Sequence, residues 1–171
     1  MPSSILRTRW QSGPAAFPPG PVLISLTEFT ADHHSQTLPI ALAGLRLRRR
    51  WPATPGAVGM WLWVDPPRKR SGSVSAWADR ASLGAFVGRP DHLRTVRAHQ
   101  GRGTMRATVW TADHLDPASV WATTEALLAD PAPWPTTVAD RPTAAEEAEE
   151  AKEAEEAKEA KEMEAKEAGT S

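Results

Sequence analysis

The chain has 171 residues with 20 Lys and Arg against 21 Asp and Glu, a net charge of −1, and no cysteine. That length fits one domain with a core plus extensions, and the lack of cysteine excludes disulfides, thiolate catalysis and Cys-ligated zinc. The near-neutral total hides two opposite parts: residues 144–171 hold eleven Glu and four Lys, leaving sixteen basic residues, fifteen of them Arg, against ten acidic ones.

In chain order, residues 1–21 are rich in Pro, Gly and Ser and read as a flexible lead. The lead has no apolar run of signal-peptide length, and no segment reaches the roughly 20 apolar residues of a membrane span. A cytoplasmic protein with no membrane partner is expected, and the Arg, Ala and Pro bias with little Lys suggests a bacterial source. Residues 22–29 alternate as a first strand. A helix follows over 35–51, with Leu38, Ala41, Leu42 and Leu45 as its buried stripe, Pro39 in the tolerant first turn and Pro52 stopping it.

The second strand, 57–65, puts Val58, Met60, Leu62 and Val64 on one face and Trp61 and Trp63 on the other. A basic turn with Arg68, Lys69 and Arg70 leads to a third strand at 73–77. Asp79 is placed to cap a short helix carrying Leu83 and Phe86, and Pro90 and Asp91 start another carrying His92, Val96 and His99. Gly101 and Gly103 end it. Residues 104–110 alternate as a fourth strand, with Met105, Ala107 and Val109 opposite Arg106, Thr108 and Trp110. A last helix is predicted over 119–129.

The order strand, helix, strand, strand, helix, strand predicts an α+β, ferredoxin-like β-α-β-β-α-β domain over 22–130 with a four-stranded antiparallel sheet. Residues 131–143 read as a Pro-rich linker. Residues 144–171 read as a solvent-exposed low-complexity tail, because an Ala-Glu-Glu or Ala-Lys-Glu triplet drifts around a helix and builds no seam.

Helices covering one sheet face would take Val58, Met60, Leu62, Val64, Val74, Met105, Ala107 and Val109. The other face would carry Leu23, Ser25, Thr27, Phe29, Trp61, Trp63, Ser75, Trp77, Arg106, Thr108 and Trp110. So many tryptophans on one face mark an interface or a ligand site. Two sheets packed face to face in a homodimer would bury it.

The run from Ser73 to Trp110, with Ser75 and Trp77 on a strand followed by Phe86 and His92 on helical turns, resembles the dimeric α+β-barrel proteins related to the antibiotic biosynthesis monooxygenases. It is especially similar to uncharacterised bacterial relatives with a Ser-x-Trp strand followed by a Phe and a His on the next helix. The resemblance covers residues 22–115 in topology. It implies a homodimer and a monooxygenase-like oxidoreductase acting on a small apolar or aromatic substrate, with no cofactor or with haem. The haem-degrading branch's Asn and Trp pattern is not clearly present.

His92 is the candidate catalytic residue, and the candidate haem ligand, because an imidazole titrates near neutrality and can ligate iron. Trp61, Trp63, Ser75, Trp77, Phe86, Arg106 and Trp110 are the candidate substrate-binding residues. A lone histidine beside a helix start is also a common structural residue, and a tryptophan stripe a common dimer core. The competing expectation is therefore a non-enzymatic structural or ligand-binding dimer with a packed Trp-lined interface. His99 lies about 10 Å along the helix from His92, too far to share a metal ion, and no metal site is predicted. His33 and His34 read as surface-loop residues. The Arg46, Arg48, Arg49 and Arg50 cluster reads as the solvated end of the first helix, favoured by the helix dipole, with nucleic acid a weaker alternative.

Overall fold

The computed structural model describes residues 5–134. The acidic tail and most of the Pro-rich linker lie outside the described residues.

Six strands form one antiparallel sheet: β1 (Leu6–Arg7), β2 (Gln11–Ser12), β3 (Val22–Ala31), β4 (Ala57–Asp65), β5 (Arg70–Trp77) and β6 (Gly103–Ala112). The four long strands lie in the order β6-β3-β5-β4, and β1 and β2 both pair with the outer edge of β4. Four α-helices accompany the sheet among the described residues: α1 (Thr37–Arg49), α2 (Arg80–Val87), α3 (Pro90–His99) and α4 (Pro117–Ala129). The order and pairing are those of the ferredoxin-like α+β fold.

The lead is not a loose end. Ile5 and Trp10 pack on the core, and a Cβ at Gly59 would collide with the Trp10 ring, so glycine at 59 is what admits that indole to β4. Proline and glycine content marks turns, and here two-residue strands lie between them.

Register decides which residues share a face, since opposed residues in an antiparallel pair point the same way. Leu23 opposes Trp77, Ser25 opposes Ser75, and Met60 opposes Ser75, so all of these share the face beneath α1, α2 and α3. Ile24 opposes both Ala76 and Trp110, and Trp61 opposes Val74, so these share the other face. The alternation predicted for β6 holds, and that for β4 holds from Met60 onward. β3 and β5 are phased one residue away from expectation, which moves Leu23, Ser25, Thr27, Phe29, Ser75 and Trp77 to the helix side and Val74 away from it. A bulge between Ala57 and Gly59 turns Val58 to the tryptophan side as well.

Cover for the tryptophan side comes from within the chain. Asp116 caps α4 by accepting from the Ala118 and Ser119 amides. The helix then buries Val120, Trp121, Thr124 and Leu128 against Ile24, Leu26, Trp61 and Trp63, with Trp134 beyond its end. A helix thus occupies the position expected for a second sheet. The basic turn is also shorter than expected: Lys69 takes the left-handed conformation at φ 57°, and Arg70 already belongs to β5.

Helix α1 departs most from expectation. Its Leu38, Leu42 and Leu45 are exposed, while the half-buried side carries Ile40, Ala41, Ala43, Gly44 and Leu47, with Gly44 lying against Leu62.

Candidate functional site

On the helix side an aromatic column runs from the core outward. Trp77, fully buried, donates from its indole N–H to the Ser75 hydroxyl at 2.9 Å. Its ring lies 4.8 Å from Trp51 and 5.1 Å from Phe86, and Phe86 lies 5.0 Å from His92. Asp79 positions α2 by accepting from the Ser82 amide at 2.7 Å, a bond that holds its carboxyl below the ordinary range. Pro90 and Asp91 start α3 directly before His92, and Asp91 accepts from the His92 amide at 3.0 Å.

The mouth of the column carries fixed charge. Arg89 and Arg50 both pair with Asp91, at 3.0 and 2.9 Å, and Arg89 also donates to Thr54. Burial acts to raise the Asp91 carboxyl, but the two guanidiniums outweigh it and leave it below its ordinary value. His92 is half-buried, and its Nδ1 lies 3.1 Å from the Val87 carbonyl. A carbonyl only accepts, so Nδ1 carries the proton and, in the neutral ring, Nε2 keeps a free lone pair. Desolvation lowers the His92 pKa, and the Val87 carbonyl and Asp91 charge only partly offset it. The lowered pKa favours the neutral ring, whose Nε2 can accept a proton.

This shift has a testable sign. Between the lowered folded value and the ordinary value of about 6.5, the unfolded chain binds a proton that the folded chain does not. His92 thus leaves stability intact above about pH 6.5 and lowers it as pH falls through the folded value. Proton NMR of the imidazole should give a midpoint below 6.5. His92→Gln should flatten the loss of stability as pH falls below about 6.5; an unchanged slope would assign that loss elsewhere.

The structure gathers Ser75, Trp77, Phe86 and His92 on this side and places Trp61, Trp63, Arg106 and Trp110 on the other. Trp61 there meets Trp10 at 4.4 Å and Trp121 at 5.7 Å, with the Arg7 guanidinium 5.0 Å from Trp61 and 4.3 Å from Trp121. Arg106 is engaged by Glu28 at 2.8 Å and lies 3.9 Å over Trp134, so it shares no site with His92. An open dent of about 380 Å³ between the end of β6 and the start of α4 borders only Trp110 of the predicted set. His33 and His34 are exposed.

Trp51 carries no recognised site motif in the sequence, where it falls at the end of the predicted 35–51 helix. It lies in a short turn after α1, is 1% exposed, and its indole N–H has no hydrogen-bond partner. The signal available was a large aromatic residue directly before a helix-stopping proline.

A haem bound through His92 would need an open planar slot beside the imidazole. The rings that would form one are in mutual contact from Trp51 to His92, so the residues as packed do not fit haem. Among the described residues no group of three or more His, Asp or Glu could hold a metal ion, and no helix is long and apolar enough to cross a membrane.

No protein-family model and no curated protein matches the chain. Solved structures do. The chain is similar in structure to monooxygenase-like proteins. One is a provisionally assigned monooxygenase from Lactobacillus acidophilus, at 10% identity and TM-score 0.47, covering 66% of this chain and 55% of that one. Another is a cofactor-independent oxygenase from Streptomyces nogalater, at 17% identity and TM-score 0.44, covering 56% and 97%. A third is a dimeric ferredoxin-like protein of unknown function from a Jannaschia species, at 17% identity and TM-score 0.46, covering 52% and 97%. This chain thus spans about half the length of the first. At these values the likeness assigns no activity.

Proposed function

We propose that the chain binds a small, planar, apolar molecule on the helix side of its sheet and oxidises it with dioxygen, without a bound cofactor. The observation that carries this reading is the unpartnered N–H of Trp51 at the inner end of a column whose outer end is a neutral histidine. A buried unsatisfied donor costs about 1–3 kcal/mol, and a ligand carbonyl or phenol oxygen would remove that cost. Phe86, half-buried, is the ring that must turn to admit it.

With no cofactor the substrate supplies all four electrons. A CH₂ between two aromatic rings becomes C=O, keeping one oxygen atom of O₂, while the other leaves as water with the two hydrogens. His92 Nε2 takes the first proton, and the apolar walls exclude water. A homodimer in the cytoplasm belongs to the same proposal and rests on the sequence resemblance.

Anthrone, which carries such a CH₂, tests it by oxygen uptake and tryptophan fluorescence. One O₂ per product is expected. His92→Ala should lower kcat by about 10²-fold or more, and Trp51→Phe should weaken binding about fivefold through loss of one hydrogen bond. The absence of both oxygen uptake and a fluorescence change would overturn it. The competing reading, a non-enzymatic protein, is favoured by one observation: both sheet faces are packed by the chain's own side chains, which also takes the tryptophan face away from the dimer contact that reading assumed.

A further inference from the structure

Helix α1 presents apolar surface to solvent and follows it with positive charge. Leu38, Leu42 and Leu45 are 67%, 44% and 40% exposed, and their i, i+4, i+7 spacing sets them in one stripe. Arg46 and Arg49, also exposed, continue that stripe at i+8 and i+11, and the helix holds no acidic residue. Neither arginine makes an ion pair among the described residues. Arg48 donates to the Arg9 carbonyl at 3.0 Å, which brings exposed Arg9 to the same end. Leu6, 64% exposed, opposes Val64 on the sheet face that α1 covers.

We propose that this face docks peripherally on an anionic phospholipid surface. Leucines would enter the boundary between headgroups and acyl chains while the guanidiniums stay at the phosphates. Charge selects this occupant. A second copy paired through α1 would bring further arginines and no carboxylate from the helix to answer them. A nucleic acid would use the arginines but leave the leucine stripe wet.

The full chain should sediment with phosphatidylcholine vesicles containing about 30% phosphatidylserine, stay in the supernatant with pure phosphatidylcholine, and be released by salt. Arg46→Gln and Arg49→Gln should each weaken binding about fivefold. Leu42→Gln with Leu45→Gln should weaken it at least tenfold. These side chains are exposed, so the variants should keep the wild-type circular dichroism. No sedimentation, equal binding to both vesicles, or indifference to these substitutions would overturn the proposal. So would a dimer in light scattering that the leucine substitutions dissociate, since that would make the face an interface between copies. Anthrone oxidation reads the helix-side column separately, so the two proposals fail independently.

Discussion

Replacing Glu28 with alanine is expected to lower the free energy of unfolding by about 3–5 kcal/mol, the usual cost of leaving buried charges unanswered. Glu28 is 4% exposed at the centre of the sheet, on the face that α4 covers. It accepts from Arg70 at 3.2 Å and from Arg106 at 2.8 Å, with those side chains 15% and 28% exposed. Arg70 also pairs with buried Asp65 at 2.7 Å and donates to the Leu128 carbonyl at 2.9 Å. Arg106 reaches the carbonyls of Asp130 and Ala132 while stacking on Trp134. One carboxylate therefore orients two guanidiniums that tie the last turn of α4, and the chain just after it, to the sheet. Without it, Arg70 keeps Asp65 and Arg106 keeps no carboxylate among the contacts described. A melting temperature lower by about 10–20 °C is expected for a domain of this size. Glu28→Gln, which keeps an acceptor, should fall between the two. If Glu28→Ala cost under about 1 kcal/mol, the network would be no stronger than a surface ion pair.

How much of this was legible beforehand depended on what each segment's pattern discriminates. In β4 and β6 one face is distinct in kind, with tryptophans against aliphatics and Arg-Thr-Trp against Met-Ala-Val, and from Met60 onward those phases read correctly. In β3 the run Val22-Leu23-Ile24 is apolar on both faces. In β5 the apolar Val74 and Ala76 alternate with Ser75 and Trp77, so hydrophobicity does not choose a side. Pairing register and the bulge at Ala57 and Gly59 choose it, and both are properties of two strands together. Helix α1 misled for a similar reason. A leucine stripe is ordinarily the buried one, yet here the helix turns its Ile40, Ala41, Gly44 and Leu47 side inward, with Gly44 against Leu62. The column of Ser75, Trp77, Phe86 and His92 was visible through its resemblance to a known motif. Trp51 entered only through a tertiary contact that brings the end of α1 against β5 and α2.

Trp77→Ala is expected to be about as damaging as the loss of Glu28, at about 3–5 kcal/mol, because it empties the centre of the helix-side core. The side chain is 0% exposed and packs against Leu23, Trp51, Met60 and Phe86. Its neighbours belong to different elements, so they cannot all close the void at once, and incomplete collapse is what makes such a site costly. Trp77→Phe separates packing from hydrogen bonding. It retains most of the buried area but leaves the Ser75 hydroxyl without its indole donor, and should cost about 1–3 kcal/mol. Chemical denaturation gives both values. Near-ultraviolet circular dichroism should show both variants losing the signal of the Trp51 and Trp77 pair, whose rings are 4.8 Å apart at 71°. Trp121→Ala provides the control on the opposite face: it should destabilise the chain while leaving that signal in place, because α4 and the column are separated by the thickness of the sheet. Loss of the signal in Trp121→Ala would mean that the two faces do not behave as independent cores, and that α4 helps set the packing in which Trp51 and His92 sit.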